Sequence, residues 1–193
     1  TRAREEIEAL AGRPVGEVTG DTDEVPDVPV LVGTEAVLQR VRQADAVAFL
    51  DFDQELLAPR YRAGEQALAL LARAGRLVGG RRGGGRVVVQ TRIPRHEVLT
   101  AALHGDPGRL AAAEAPGRRA LSFPPYAALA LVSGPSAGEL VERLEGVEGV
   151  EAMGPDDGRW LVRAPDAATL ADALAAAGRP AGRLRVEVDP LRI

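Results

Sequence analysis

Val30-Leu31-Val32-Gly33-Thr34 opens, and Val87-Val88-Val89-Gln90-Thr91 closes, the stretch on which the reading of this chain turns. Between them lie Ala46-Val47-Ala48-Phe49-Leu50-Asp51-Phe52-Asp53 and Pro59-Arg60-Tyr61-Arg62-Ala63-Gly64-Glu65. Short apolar runs that stop on glycine or on polar residues read as buried strands. Thr34 is placed to cap a helix over Glu35 to Arg42. A longer helix is predicted over Arg62 to Leu77, with Leu68, Leu71 and Ala74 on one stripe and Gly79-Gly80 as its stop. Strands alternating with helices predict a parallel sheet.

Working outward, Arg2 to Leu10 reads as a short charged helix, and Pro14 to Thr19 as a strand. Asp21 to Pro29, acidic and broken by prolines, reads as a surface loop. After Thr91 the pattern changes. Pro94 to Leu103 and Pro107 to Leu121 read as two connecting helices, and Phe123-Pro124-Pro125 breaks the chain. A different unit follows: strand Ala127–Val132, helix Ala137–Leu144, strands Val150–Met153 and Arg159–Val162, helix Ala167–Ala176, strand Leu184–Val188. That β-α-β-β-α-β order is the split-βαβ arrangement, with an antiparallel sheet and helices on one face. The order is shared by domains that bind nucleic acid, small ligands or proteins, so it fixes a fold and leaves function open.

Composition sets bounds. The chain has 193 residues, and 46% of them are apolar, enough for a folded core and too many for a disordered tail. That core must be aliphatic, since only three Phe, two Tyr and one Trp are present. No apolar run approaches the roughly 20 residues of a membrane span, and no signal-peptide pattern opens the chain. The absence of cysteine excludes disulfides and thiolate metal sites and is compatible with a cytoplasmic home. A start at Thr1 without an initiator Met makes a piece of a longer protein one expectation. All 24 basic residues are arginine, as expected of a GC-rich genome, and the net charge is −4. Contact with DNA would therefore depend on local patches rather than a global field.

Several residues carry candidate chemistry. Gly33-Thr34 sits where strand becomes helix, so backbone N–H groups there could meet an anion, although Thr is equally an ordinary cap. Asp51 and Asp53 flank Phe52 at a strand end. Strand alternation would put both on one side, as a carboxylate pair or as turn residues. The tract Arg73 to Arg86 holds Arg73, Arg76, Arg81, Arg82 and Arg86 among six glycines. It reads either as a phosphate-contacting loop or as a solvated connection. His96 and His104 have no acid partner that would make a nucleophile–base pair or a metal cluster. Trp160 beside Arg159 could stack a base or fill a core.

Taken together, these spacings resemble the second motor lobe of the bacterial primosomal protein N′ family, the PriA replication-restart helicases of superfamily 2. The resemblance runs through Gly33-Thr34-Glu35, Leu50 to Glu65 and Val87 to Thr91. It continues through Pro94 to Leu99 and Arg118-Arg119-Ala120-Leu121-Ser122-Phe123-Pro124-Pro125-Tyr126, and closes with Gly158-Arg159-Trp160 and Val186-Glu187-Val188-Asp189-Pro190. It implies an α/β protein: a RecA-like second helicase lobe over residues 1–92, a helical connector over 93–126, and a split-βαβ domain over 127–193. It also implies a cytoplasmic protein with ATP and Mg²⁺ as cofactors, acting 3′→5′ on forked or single-stranded DNA beside single-strand-binding protein and primosome components, with no membrane partner. The family's Walker lysine, DEAH carboxylates and zinc cysteines lie outside the part seen here, so zinc has no ligands in this chain. Gly33 and Thr34 are the implied nucleotide contacts, and Arg81, Arg82 and Arg86 the expected DNA contacts.

The chain also departs from the pattern. The Lys-Gly and Phe-Pro pairs that follow the family's Gly-Thr-Gln are missing from Glu35 to Asp45. The family's arginine-bearing motif, Gln-Val-Ala-Gly-Arg-Ala-Gly-Arg, supplies charge to the γ-phosphate. Aligned without gaps from Glu65, its arginines fall on Leu77 and Gly80. A gapped register places them on Arg73 and Arg76 but removes about one helical turn. The gapless register keeps the helix intact and predicts a degenerate motor, a DNA- or partner-binding scaffold. Two alternatives stand beside it: a non-enzymatic binding module for single-stranded DNA or a replication protein, and a small-ligand regulatory domain at 127–193.

Overall fold

The computed structural model describes residues 2–80 and 83–193. Two compact units divide the chain: residues 1–58 with 64–107, and residues 59–63 with 108–193. The division at 107/108 falls inside the stretch expected to be a connector, and five residues from the middle of the first unit's sequence belong to the second.

The first unit is built from parallel strand pairs. After helix α1 (Arg2–Ala11), strands β1 (Val15–Val18) and β2 (Val30–Gly33) pair in parallel. Their crossover is the acidic, proline-broken loop 19–29. It turns through Thr19, whose N–H donates to Thr22 Oγ1 at 2.8 Å, and a connection of this length without a helix is close to the minimum for parallel neighbours. Helix α2 (Ala36–Arg40) follows, then β3 (Ala46–Phe49), the single-turn α3 (Asp53–Leu56), α4 (Ala63–Leu77) and β4 (Arg86–Val89). β3 and β4 pair in parallel with α4 as the crossover. On α4 the buried stripe is Ala67, Leu71, Ala74 and Leu77, at helical spacing. The expected Leu68 lies half-buried beside it. Leu38 of α2 joins Ala74 and Leu77 in one cluster, against Val47, Phe49 and Val87 of the strands. Among the described residues β1–β2 and β3–β4 form separate two-stranded sheets rather than the one parallel sheet that the alternating pattern predicts. Helix α5 (Glu97–His104) ends the unit, closed by Gly105 in the left-handed region at φ 64°.

The second unit holds α6 (Pro107–Ala120) and then β5 (Ala128–Ser133), α7 (Ala137–Leu144), β6 (Glu151–Asp156), β7 (Arg159–Ala164), α8 (Ala167–Ala177) and β8 (Arg185–Val188). The four strands make one antiparallel sheet in the order β6-β7-β5-β8. Alternation sends Ala128, Ala130, Val132, Val162 and Ala164 to one face, where Leu140 and Leu144 of α7 and Leu170 and Ala173 of α8 cover them. β6 and β7 are joined by Asp157-Gly158, at φ 47° and 69°. Positive φ at both central residues is the condition of a type I′ hairpin turn, and Asp-Gly is its preferred pair. Asp166 caps α8, its carboxylate accepting from the Thr169 N–H at 2.8 Å.

Candidate functional site

In the first unit, the ends of β3 and β4 are knotted by the residues that sequence singled out. The Gln90 N–H donates to Phe49 O at 2.9 Å, and the Phe52 N–H returns to Gln90 O at 3.0 Å. The Gln90 side chain accepts from the Asp51 N–H at 3.3 Å. Phe52 anchors the turn, 2% exposed, with its ring centroid 5.0 Å from that of Phe49. Asp51 and Asp53 do not alternate on a strand, as the sequence reading had them. β3 stops at Phe49, Asp51 turns left-handed at φ 54°, and Asp53 opens α3. Gln90 draws the chain out of its strand, so the two carboxylates take separate partners. Gln54 Nε2 donates to Asp51 at 2.6 Å. Asp53 accepts the Thr91 hydroxyl and the Arg92 N–H, the latter at 3.1 Å. Those two bonds, the Thr91 hydroxyl first, hold the Asp53 carboxyl below its ordinary range.

Gly33 ends β2 against the neighbouring backbone: a Cβ there would lie 1.8 Å from Val18 O. Thr34 closes the turn that follows, its Oγ1 accepting from the Ala36 N–H at 3.4 Å, while the Val37 and Leu38 N–H groups donate to Thr34 O and Glu35 O. The Ala36, Val37 and Leu38 amides are therefore occupied within the turn, and Glu35 adds negative charge.

Along the arginine tract, Arg73 is half-buried and Arg76 exposed on α4. Leu77 points inward, 9% exposed, and Gly80 is left-handed at φ 62°. Gly85 lies against the helix end, where a Cβ would meet Val78 O at 2.6 Å. Arg86 is exposed at the start of β4, its N–H bonded to Asp45 O at 3.0 Å. Arg81 and Arg82 lie outside the described residues. His96 caps α5, its Nδ1 accepting from the Val98 N–H at 3.3 Å, and His104 Nδ1 lies 2.8 Å from Thr100 O. Among the described residues no group of three or more His, Asp or Glu side chains could hold a metal ion. Among the described residues no helix is long and apolar enough to cross a membrane.

The second unit gathers residues from three distant parts of the chain. Tyr61 donates its hydroxyl to Pro190 O and accepts from Arg62 Nε at 2.8 Å, while Arg62 also pairs with Asp189. Burial of the Arg62 guanidinium opposes its charge, but the bonds to Asp189 and Tyr61 outweigh that and raise its pKa. The Tyr61 ring packs 5.3 Å from Phe123. Arg118, only 8% exposed, donates to Glu114 at 2.7 Å, to Pro124 O at 3.1 Å and to Tyr61 O at 3.3 Å. Residues 59–63 are thus held by the strand-to-terminus corner at Asp189-Pro190 and by the end of α6. Tyr61, Arg118, Phe123, Asp189 and Pro190 were quoted for the resemblance without a role. The one signal available in sequence was an arginine, tyrosine and proline each standing beside a chain break. Trp160 packs against the core of this unit beside Val132, as a core residue.

These features define a two-unit α/β protein: parallel strand pairs whose polar ends are tied together, followed by a helix-covered antiparallel sheet. No protein-family model matches the chain. It is similar to the replication restart protein PriA of Treponema pallidum (strain Nichols), 35% identical over 108 residues that make up 53% of this chain and 16% of that protein. It is also similar to the replication restart protein PriA of Thermotoga maritima (strain ATCC 43589 / DSM 3109 / JCM 10099 / NBRC 100826 / MSB8), 29% identical over 146 residues, 71% of this chain and 19% of that protein. The matches thus span less than a fifth of each relative's length. Together they support a PriA-family relationship for this chain.

Proposed function

We propose that the chain is part of a replication-restart DNA-binding protein of the 3′→5′ helicase type, with its first unit a RecA-like second motor lobe and its motor degenerate. Its partners on this reading are forked or single-stranded DNA, single-strand-binding protein and primosome components. The similarity to the two PriA proteins supports the family. The observation that carries the degenerate motor is Leu77. In the gapless register it stands where the family has an arginine, and it packs with Leu38 and Ala74 in the core of the first unit. A guanidinium there would have to reach out of an aliphatic cluster before it could meet a phosphate.

ATP and Mg²⁺ belong to the complete motor in this reading. At the Gly33–Thr34 corner the Ala36, Val37 and Leu38 amides bond within the turn, so a phosphate there would also need groups from the rest of the motor. No catalytic step is therefore derived through nucleotide. Arg86, with Arg81 and Arg82, supplies the DNA contact.

DNA-stimulated ATP turnover by the complete protein on forked DNA is the decisive measurement. Turnover near background fits a degenerate motor, and robust turnover sinks it. Burial of Leu77 equally favours the second reading, a non-enzymatic module for single-stranded DNA or a replication protein. Salt titration of single-stranded DNA binding by the 193-residue chain separates that reading from an inert scaffold, since phosphate contacts give a steep salt slope. Replacing Arg81, Arg82 and Arg86 together flattens the slope if the loop is the contact.

A further inference from the structure

The two edges of the second unit's sheet are built differently. β6 carries Gly154-Pro155 inside the strand and a register shift between Met153 and Asp156. A proline without an N–H and a bulge are devices that stop another strand from adding. β8 has neither, and among the described residues no strand pairs with its outer side. Its apolar residues stay in water: Val186 is 37% exposed and Val188 59%.

The direction of its free backbone groups follows from the inner pairing. The Asp189 N–H donates to Leu129 O at 2.8 Å, and Val188 stands opposite Ala130, Glu187 opposite Leu131 and Val186 opposite Val132. Hydrogen-bonded and non-bonded pairs alternate along an antiparallel ladder. Asp189, Glu187 and Arg185 therefore spend their N–H and C=O groups on β5, and Val186 and Val188 aim theirs outward.

We propose that β8 is a self-association edge, pairing antiparallel with β8 of a second copy about a two-fold axis at Val186. In that register Val186 exchanges N–H···O bonds with Val186 of the second copy. Arg185 then stands opposite Glu187 of the second copy, and Glu187 opposite its Arg185, in the non-bonded positions where cross-strand side chains come closest. Val188 faces Leu184 of the second copy, on the face that carries the apolar groove of Leu140, Leu174, Leu184 and Val186. The other registers each set at least one pair of like charges directly opposite one another. An axis at Glu187 sets Glu187 against its own copy, an axis at Arg185 sets Arg185 against its own copy, and an axis at Val188 sets Glu187 against Asp189. In the single chain Arg185 and Glu187 bond each other at 3.0 Å, and pairing exchanges that bond for two between copies. Strand addition at an open edge with a two-fold, self-complementary patch is a standard route to a symmetric dimer.

Sedimentation equilibrium of the 193-residue chain over rising concentration tests this. A monomer–dimer equilibrium is expected. Arg185→Glu alone and Glu187→Arg alone, each checked for fold by circular dichroism, set like charges across the seam and weaken association by roughly tenfold or more. The combined R185E/E187R swap restores complementarity and brings the dimer back. If a single variant fails to fold, the double swap still decides, because a seam of this kind must tolerate it. A chain that stays monomeric at every concentration overturns the proposal and leaves the edge to a different partner strand. Association indifferent to R185E, or not recovered in the double swap, overturns it as well.

Discussion

The two units solve the same problem, burying mainly aliphatic side chains with few aromatics, in different ways. The second unit folds its strands into one sheet, with helices α7 and α8 laid over a single face. The first unit makes two separate strand pairs, and beside β3 and β4 the side chains of Leu38, Ala74 and Leu77 form a small buried cluster. Antiparallel strands can close through a two-residue turn such as Asp157-Gly158, whereas each parallel pair needs a crossover that the rest of the unit must hold in place. The second unit therefore has core to spare. In the first, one residue such as Leu77 serves both packing and the position where motor chemistry is expected.

Trp160, the chain's one tryptophan, packs in the second unit and reports on that unit alone. The largest effect is expected from Leu140→Ala, which opens a cavity in the core of the second unit and costs about 2–5 kcal/mol. Urea unfolding followed by Trp160 fluorescence reads it. A smaller shift would mean that Leu140 is not a packing centre of the second unit. Arg118→Ala removes the buried guanidinium that bonds Glu114, Pro124 O and Tyr61 O, and is expected to cost about 2–3 kcal/mol by the same readout. Leu77→Arg restores the family's side chain in the gapless register. It is expected to destabilise the first unit by about 1–3 kcal/mol, seen by amide exchange over α4, with no gain in ATP turnover. A gain in turnover would make that position a site and not core.

The smallest effects concern the two carboxylates whose pKa lies below the ordinary 3.8. A depressed folded-state pKa contributes stability above the unfolded value, and that contribution is lost as pH falls through the folded one. Asp166→Asn is therefore expected to lower the melting temperature near neutrality and to match the parent chain only once pH has fallen below the depressed folded-state pKa of Asp166. Thr91→Val removes the main cause of the Asp53 shift, so its titration by NMR moves up toward the ordinary value. Because Asp166 reports on one unit and Asp53 on the other, the pair compares the units' acid sensitivity directly.

Much of this was legible from particular residues. The α7 prediction, Ala137–Leu144, coincides with the helix, and those for α4 and α8 are within a residue at one end, because Leu and Ala at helical spacing and Asp166 or Gly ends leave little choice. The short α3 is not legible in sequence: Asp53 reads as the close of a strand, Gln54 to Leu56 carry no element signal, and a single turn leaves no periodicity to detect. The Asp157-Gly158 hairpin carried a signal that went unused. Of the candidate site, the residues quoted at the ends of β3 and β4 do come together, while Gly33 and Gly85 turned out to answer to close backbone approach.

Sequence alone determined most of the elements, their order and the similarity to replication-restart proteins, because period, caps and turn residues are written within a few positions of one another. Only the tertiary structure decided which strands share a sheet, that Pro59 to Ala63 belong with residues 108–193, and that Leu77 is core. Those outcomes depend on partners far along the chain, as with Tyr61 and Pro190, 129 residues apart. A local pattern states which face is apolar. Packing and loop closure decide what covers it.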